Sequence, residues 1–289
     1  MKKYYTHLKK IKNKKLRIVI SVFVGAVFAV YCAYAYIKTG TIAPSAELID
    51  GRPTVRFIDV GQGDSALVTY KGESVLVDAG PADAGKSVAE YVRTYSPNVD
   101  YFIISHPHED HMGGASDILR TVRVENLVIN AYTSDDNFYI ETLEIAEEQG
   151  INIIVADEPM TLHTDNIMIN ILDNFGYVYD DINDTSLIVR VDADDISVLF
   201  TGDAEKTAES NVMSTSYSML DADILKVGHH GSKTSTSEDF LKAVSPDFAV
   251  ISCMKNNSYG HPSQNVVNLL KKYCIEIYRT DRMGTVVIH

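Results

Sequence analysis

His106-Pro107-His108-Glu109-Asp110-His111 places four metal-binding side chains within six residues, and Met112-Gly113-Gly114 follows at once. The apolar run Tyr101-Phe102-Ile103-Ile104 precedes it. A strand ending there delivers all four groups onto one loop at a sheet edge. Imidazole suits zinc and related first-row dications, and carboxylate suits the same ions or manganese. His106 and His108 can point into one metal site, while Asp110 and His111 turn into a second. The two glycines are expected to let the backbone fold tightly and start a helix. A histidine-rich surface loop is the bland alternative. It is set aside because distant parts of the chain supply further ligands.

Thr201-Gly202-Asp203 ends the apolar strand Ser197-Val198-Leu199-Phe200. A carboxylate at that edge can bridge two cations, or it can simply cap the helix that follows. Asp223-Ile224-Leu225-Lys226-Val227 leads into Gly228-His229-His230-Gly231-Ser232, again a strand ending in imidazoles. One histidine can complete the second site. The other can orient substrate, protonate a leaving oxygen or hold the loop. Asn257-Ser258-Tyr259-Gly260-His261-Pro262 forms a third such loop. There His261 and Asn257 are candidates for contacting phosphate, against a turn that glycine and proline alone explain.

The acidic total is deceptive. The formal charge is −13, yet residues 1–17 carry eight Lys or Arg and no acid. The rest therefore holds 18 basic against 39 acidic residues. Such a body does not look like a duplex reader with a basic stripe. Ile18 to Ile37 is a run of twenty residues without a charge, enough for roughly 30 Å of helix. Basic residues ahead of it predict a cytoplasmic N-terminus, a single membrane-spanning helix and an exported body. A signal peptide cleaved after Ala33-Tyr34-Ala35 is the alternative, giving a secreted product. Residues 38–53 read as a linker. Cys253 and Cys274 are expected to be two buried thiols rather than a disulfide.

Residues 54–289 then read as one α/β domain. Strands are predicted at 55–60, 66–70, 74–77, 101–104, 125–130, 151–155, 161–163, 167–172, 185–191, 196–200, 223–227, 247–252, 275–279 and 285–288. Helices are predicted at 85–95, 114–120, 136–149, 204–214, 238–244 and 263–272. Strand clusters alternating with helices predict a sheet sandwich covered by helices.

Taken in order, several motifs resemble the metallo-β-lactamase superfamily, and more narrowly the metallo-β-lactamase-like domain of ComEC-type competence proteins, which serve DNA uptake. They are Phe57 to Ser65, Leu76 to Gly80, Ser105 to Gly114, Asn183 to Leu187, Thr201 to Glu205, Leu225 to Ser235, Tyr259 to Pro262, Tyr278 to Asp281 and Gly284. The resemblance covers about residues 54–289. It implies a four-layer αβ/βα sandwich with two divalent metal ions at one edge. Carried over, His106 and His108 bind one ion. Asp110, His111 and His229 bind the other, and Asp203 bridges. The superfamily usually adds a histidine where this chain reads Asp181 to Ser186, a departure shared with the ComEC-type branch. The first site is therefore expected to be completed by Asn183 or water, and to lean from zinc towards manganese. Asp64 and Asp78 are expected to orient the ligating histidines.

The expected chemistry is phosphodiester hydrolysis. A dication pair activates water at neutral pH and clamps phosphoryl oxygens. Asp110 belongs to the catalytic group, and His230 or His261 is the candidate acid for the leaving oxygen. Ser232 and Lys233 are expected to bind phosphate. Nucleic acid is the favoured substrate by resemblance. An envelope phosphodiester, such as phosphocholine on teichoic acid, is the runner-up, and a non-catalytic, metal-stabilised binding module the alternative of another class. No protein partner can be inferred.

Overall fold

The computed structural model describes residues 51–172, 174–177 and 179–289. The basic N-terminus, the uncharged run 18–37 and nearly all of the linker lie outside them. Among the described residues no helix is long and apolar enough to cross a membrane.

Two seven-stranded sheets face each other. The first contains β1 (Thr54–Phe57), β2 (Ala66–Tyr70), β3 (Glu73–Val77), β4 (Asn98–Ile103), β5 (Arg123–Asn130) and β6 (Asn152–Ala156). The second contains β7 (Met160–His163), β8 (Ile167–Ile171), β9 (Val189–Ala193), β10 (Ile196–Phe200), β11 (Ile224–Lys226), β12 (Phe248–Ile251) and β13 (Glu276–Arg279). The last strand, β14 (Val286–Ile288), returns to pair antiparallel with β1. Each sheet has an antiparallel half and a parallel half. β3 to β6 run parallel in the first, and β10 to β13 in the second.

Alternation along the strands builds the layers. Val75, Val77 and Ile103 point into the core between the sheets, where they join Val198, Phe200, Ile224 and Val250. Their neighbours Leu76, Phe102 and Ile104 point outward. They pack with residues of helices α1 (Gly85–Tyr95), α3 (Ala115–Thr121) and α4 (Asn137–Gln149), while α2 (Glu109–Met112) is a single turn. On the other side Leu199, Leu225, Ala249 and Ile251 pack with α5 (Lys206–Ser216), α6 (Glu238–Val244) and α7 (Gln264–Lys272). The final helix, α8 (Thr280–Met283), is short. The result is the four-layer αβ/βα sandwich.

Three expectations change. Residues 185–191 were expected to be extended throughout, but Ile182–Thr185 is a tight 3-10 turn and β9 starts at Val189. The Asp181 side chain accepts from Asn183 N, and the Asp184 carboxylate accepts from Glu205 N and Ala208 N, which fixes the turn. Gly113 and Gly114 have ordinary negative φ (−57° and −82°), so freedom of φ is not their contribution. Room is: a Cβ on Gly114 would lie 2.5 Å from the Ala79 carbonyl. Finally, both cysteines are free thiols, but only Cys253 is buried and Cys274 is exposed.

Candidate metal centre

Parallel strands end at a common edge, and ligands beyond their carboxyl ends converge there. β3 yields Asp78, β4 yields Ser105 and His106, and α2 adds Asp110 and His111. β10 yields Asp203, and β11 yields His229 and His230. Asp78, His229 and His230 all have left-handed φ (59°, 46° and 53°), a conformation costly for side-chain-bearing residues. Strain of that kind concentrates where side chains must be aimed.

Two donor sets form around Asp203. His106, His108 and Asp203 make one, and Asp110, His111, His230 and Asp203 make the other, all donor atoms within each set lying within 4.8 Å of one another. His106 Nε2 is 3.0 Å from His108 Nδ1. His111 Nε2 lies 3.1 Å from Asp203 Oδ1, and His230 Nε2 lies 3.1 Å from Asp110 Oδ2 and 3.5 Å from Asp203 Oδ1.

The far sides of these rings are held. His111 Nδ1 donates to Asp78 Oδ2 at 2.9 Å. Asp78 also accepts from Ser105 N and Ser105 Oγ. His106 Nδ1 stands 3.1 Å from Ser105 Oγ and 3.3 Å from Ser186 Oγ. His230 Nδ1 donates to the Ser252 carbonyl at 3.1 Å, with Asp64 Oδ1 3.3 Å away. Asp64 Oδ2 is paired at 2.6 Å with the buried ammonium of Lys226. With Nδ1 occupied in this way, Nε2 of His106, His111 and His230 presents a lone pair to the cavity side.

These residues fit a pair of dications. His111 Nε2 and Asp203 Oδ1 are buried and face each other, yet neither has a hydrogen-bond partner. Buried polar atoms are rarely left so. The electrostatics make the same demand for positive charge. Burial pushes His230 down, but the carboxylates of Asp203 and Asp64 outweigh it and carry the imidazole to about 10. Burial likewise opposes charge on His111, yet Asp203, Asp78 and Asp110 hold it well above the usual imidazole range. Asp203 is driven the other way: burial raises it, and His230 and His111 bring it well below the carboxylate range.

His229 is not in this second set, which corrects the expectation. The resemblance places that ligand directly after the strand-end Gly228. Instead, Gly228–Gly231 is a tight turn with both histidines in the left-handed region, so His230 turns inward. His229 Nδ1 donates to Glu205 Oε1 at 2.9 Å, and its Nε2 lies 3.6 Å from Asp203 Oδ2.

A cavity of about 240 Å³ opens over the centre, lined among others by His108, Asp110, Asn183, His229, His230 and His261. Asn183 Oδ1 is buried without a hydrogen-bond partner, and so is His261 Nδ1. Burial, then His229 and His230, push His261 down to about 4. Ser232 and Lys233 do not take the expected place, and Asn257 lines a neighbouring cavity rather than this one. Ser232 Oγ is spent on Thr234 Oγ1 at 2.7 Å, and Lys233 is exposed outside this lining. Asn257 pins its own loop, donating to the Met254 carbonyl at 2.9 Å and accepting from His261 N at 3.0 Å. Sequence reasoning missed Ser105, Ser186, Glu205 and Lys226. None of the four carried a signal: even Lys226, the last residue of β11, reads as an ordinary strand-end charge.

Residues 58–255 match the metallo-β-lactamase superfamily, and the chain belongs to it. It is 33% identical over 251 residues to ComE operon protein 3 of Bacillus subtilis, covering 80% of this chain and 32% of that protein. It is 33% identical over 245 residues to Recombination protein 2 of Haemophilus influenzae, covering 82% of this chain and 29% of that protein. The chain thus spans about a third of the length of these relatives. Among solved structures it is similar in fold to CmlA, a diiron β-hydroxylase from Streptomyces venezuelae, with a TM-score of 0.57 at 14% identity, over 82% of this chain and 54% of that one.

Proposed function

We propose that this chain is an exported phosphodiesterase using two divalent metal ions, with nucleic acid as the favoured substrate. One observation carries the proposal: two His/Asp donor sets share the buried Asp203 and open on a single cavity. In this reading His106 and His108, completed by Asn183, hold one ion, and Asp110, His111 and His230 hold the other. When bound, zinc or manganese ions supply a nucleophile at neutral pH and neutralise phosphoryl charge. The protein's own groups do the rest. Asp78 and Asp64 keep the ligating rings in one orientation. His229, braced by Glu205, lines the cavity and is the candidate to pass a proton to the leaving oxygen, while His261, pushed down to about 4 by burial and the two neighbouring histidines, lines the cavity as a neutral imidazole.

Nucleic acid is favoured by the competence-related relatives. A teichoic-acid phosphocholine ester remains the second substrate, favoured by the acidic body, because tracking a polyanion needs basic surface. Export is inferred from the basic residues ahead of the uncharged run 18–37.

The test combines metal analysis with hydrolysis of bis-p-nitrophenyl phosphate, plasmid, single-stranded DNA and a phosphocholine ester. Asp203→Ala should lose both metal and turnover while keeping its fold by circular dichroism. Near-normal turnover and metal content in that variant refute the dinuclear assignment. A wild-type protein that binds two ions yet cleaves none of these leaves the non-catalytic binding module.

A further inference from the structure

A second cavity, about 640 Å³, adjoins the first, and His261 lines both. Its other walls include Lys255, Asn256, Arg279, Asp281 and Arg282. Three cations against one carboxylate is an unusual balance here, because beyond residue 17 acids outnumber bases 39 to 18. The three cations differ in kind. Arg279 is clamped by Asp281 through two bonds of 2.8 Å, which fixes its guanidinium and offsets its charge. Lys255 and Arg282 are exposed, and Arg282 adds only a secondary pull on the Asp281 carboxyl that Arg279 already holds. The metal-centre proposal gives this basic wall no task.

We propose that this cavity receives a second phosphate of the substrate, one backbone unit away from the phosphodiester at the metal centre. The inference rests on the phosphodiesterase reading and narrows it. A substrate with a single phosphate engages the centre and leaves the basic wall without an anion. A linear polyphosphodiester engages both, with His261 at the junction. In an otherwise acidic body, local cations are also what allow a polyanion to approach. Nucleic-acid strands and polyol-phosphate polymers share this chemistry.

The experiment compares the full chain with Lys255→Gln/Arg282→Gln on three substrates: bis-p-nitrophenyl phosphate, a labelled single-stranded octanucleotide and a glycerol-phosphate oligomer. In the double variant, kcat/KM for the preferred oligomer, divided by that for bis-p-nitrophenyl phosphate, should fall at least about tenfold, mainly through KM. The log–log salt dependence of oligomer binding should flatten by roughly one to two units. The oligomer that suffers the larger loss identifies the source of the phosphate. An unchanged ratio and salt slope overturn the inference while leaving the phosphodiesterase reading intact. If the wild type hydrolyses nothing, that reading fails, and anisotropy of the labelled oligomers decides the inference. Tenfold weaker binding by the variant supports it, and equal binding overturns it.

Discussion

Lys226→Met removes one half of a buried ion pair and leaves the other half stranded. Lys226 and Asp64 are 2% and 4% exposed, with Nζ and Oδ2 2.6 Å apart. Burial pushes the Asp64 carboxyl up, and the Lys226 ammonium, then His230, bring it back below its ordinary value. Methionine fills similar space, so packing changes little, and the dominant effect is a buried carboxylate left with His230 alone, whose Nδ1 also donates to the Ser252 carbonyl. Breaking a buried pair from one side costs about 3–5 kcal/mol. For a domain of this size that is a fall in Tm of roughly 6–20 °C. Asp64 also flanks His230 Nδ1, so the second ion should bind roughly 10–100-fold more weakly. The stability measurement is urea or thermal unfolding in EDTA, which removes any metal contribution, and metal affinity is titrated separately. Adding Asp64→Asn to Lys226→Met removes the stranded charge and should restore part of the stability without restoring metal affinity. A Lys226→Met protein within about 1 kcal/mol of wild type, or a double variant no more stable than the single, refutes this account of the pair.

The sequence exposed this site unevenly, for physical reasons. His106 to His111 is legible because its ligands are adjacent, and an apolar strand directly precedes them. Asp203 is legible for the same reason, as it ends β10. Asp78 was readable as the group that orients a ligating histidine, and it does meet His111 Nδ1. Adjacent histidines were not readable. Which of His229 and His230 turns inward depends on two left-handed residues that no periodicity announces. Lys226 looks like an ordinary charge at a strand end until Asp64, far away in the chain, is folded against it. Ser232 sits beside cavity residues in sequence, but its hydroxyl is consumed by Thr234, and Asn257 lines the second cavity with its side chain already bonded within its own loop. The turn at Ile182–Thr185 was hidden similarly. Its apolar neighbours suggest a strand, while the bonds that bend it come from Asp181 and from backbone beyond β10.

Two further outcomes are expected. Gly63→Ala should lower Tm by roughly 2–12 °C from the strained φ alone, which costs roughly 1–3 kcal/mol before any clash. Gly63 has φ +139°, and a Cβ there would lie 2.3 Å from the Asp110 carbonyl, so differential scanning fluorimetry showing an unchanged Tm rejects the close approach. The second outcome separates the adjacent histidines. His230 Nε2 lies against both Asp110 and Asp203, whereas His229 is tied to Glu205 and is not part of either donor set. His230→Ala should therefore lose about one ion per chain in elemental analysis, and turnover with it. His229→Ala should keep both ions and lose rate, most steeply for substrates with poor leaving groups, because a proton donor matters most when the departing oxygen is basic. Metal lost only from His229→Ala would restore His229 as the ligand, as the family resemblance implies, and place the second ion on the other side of the turn.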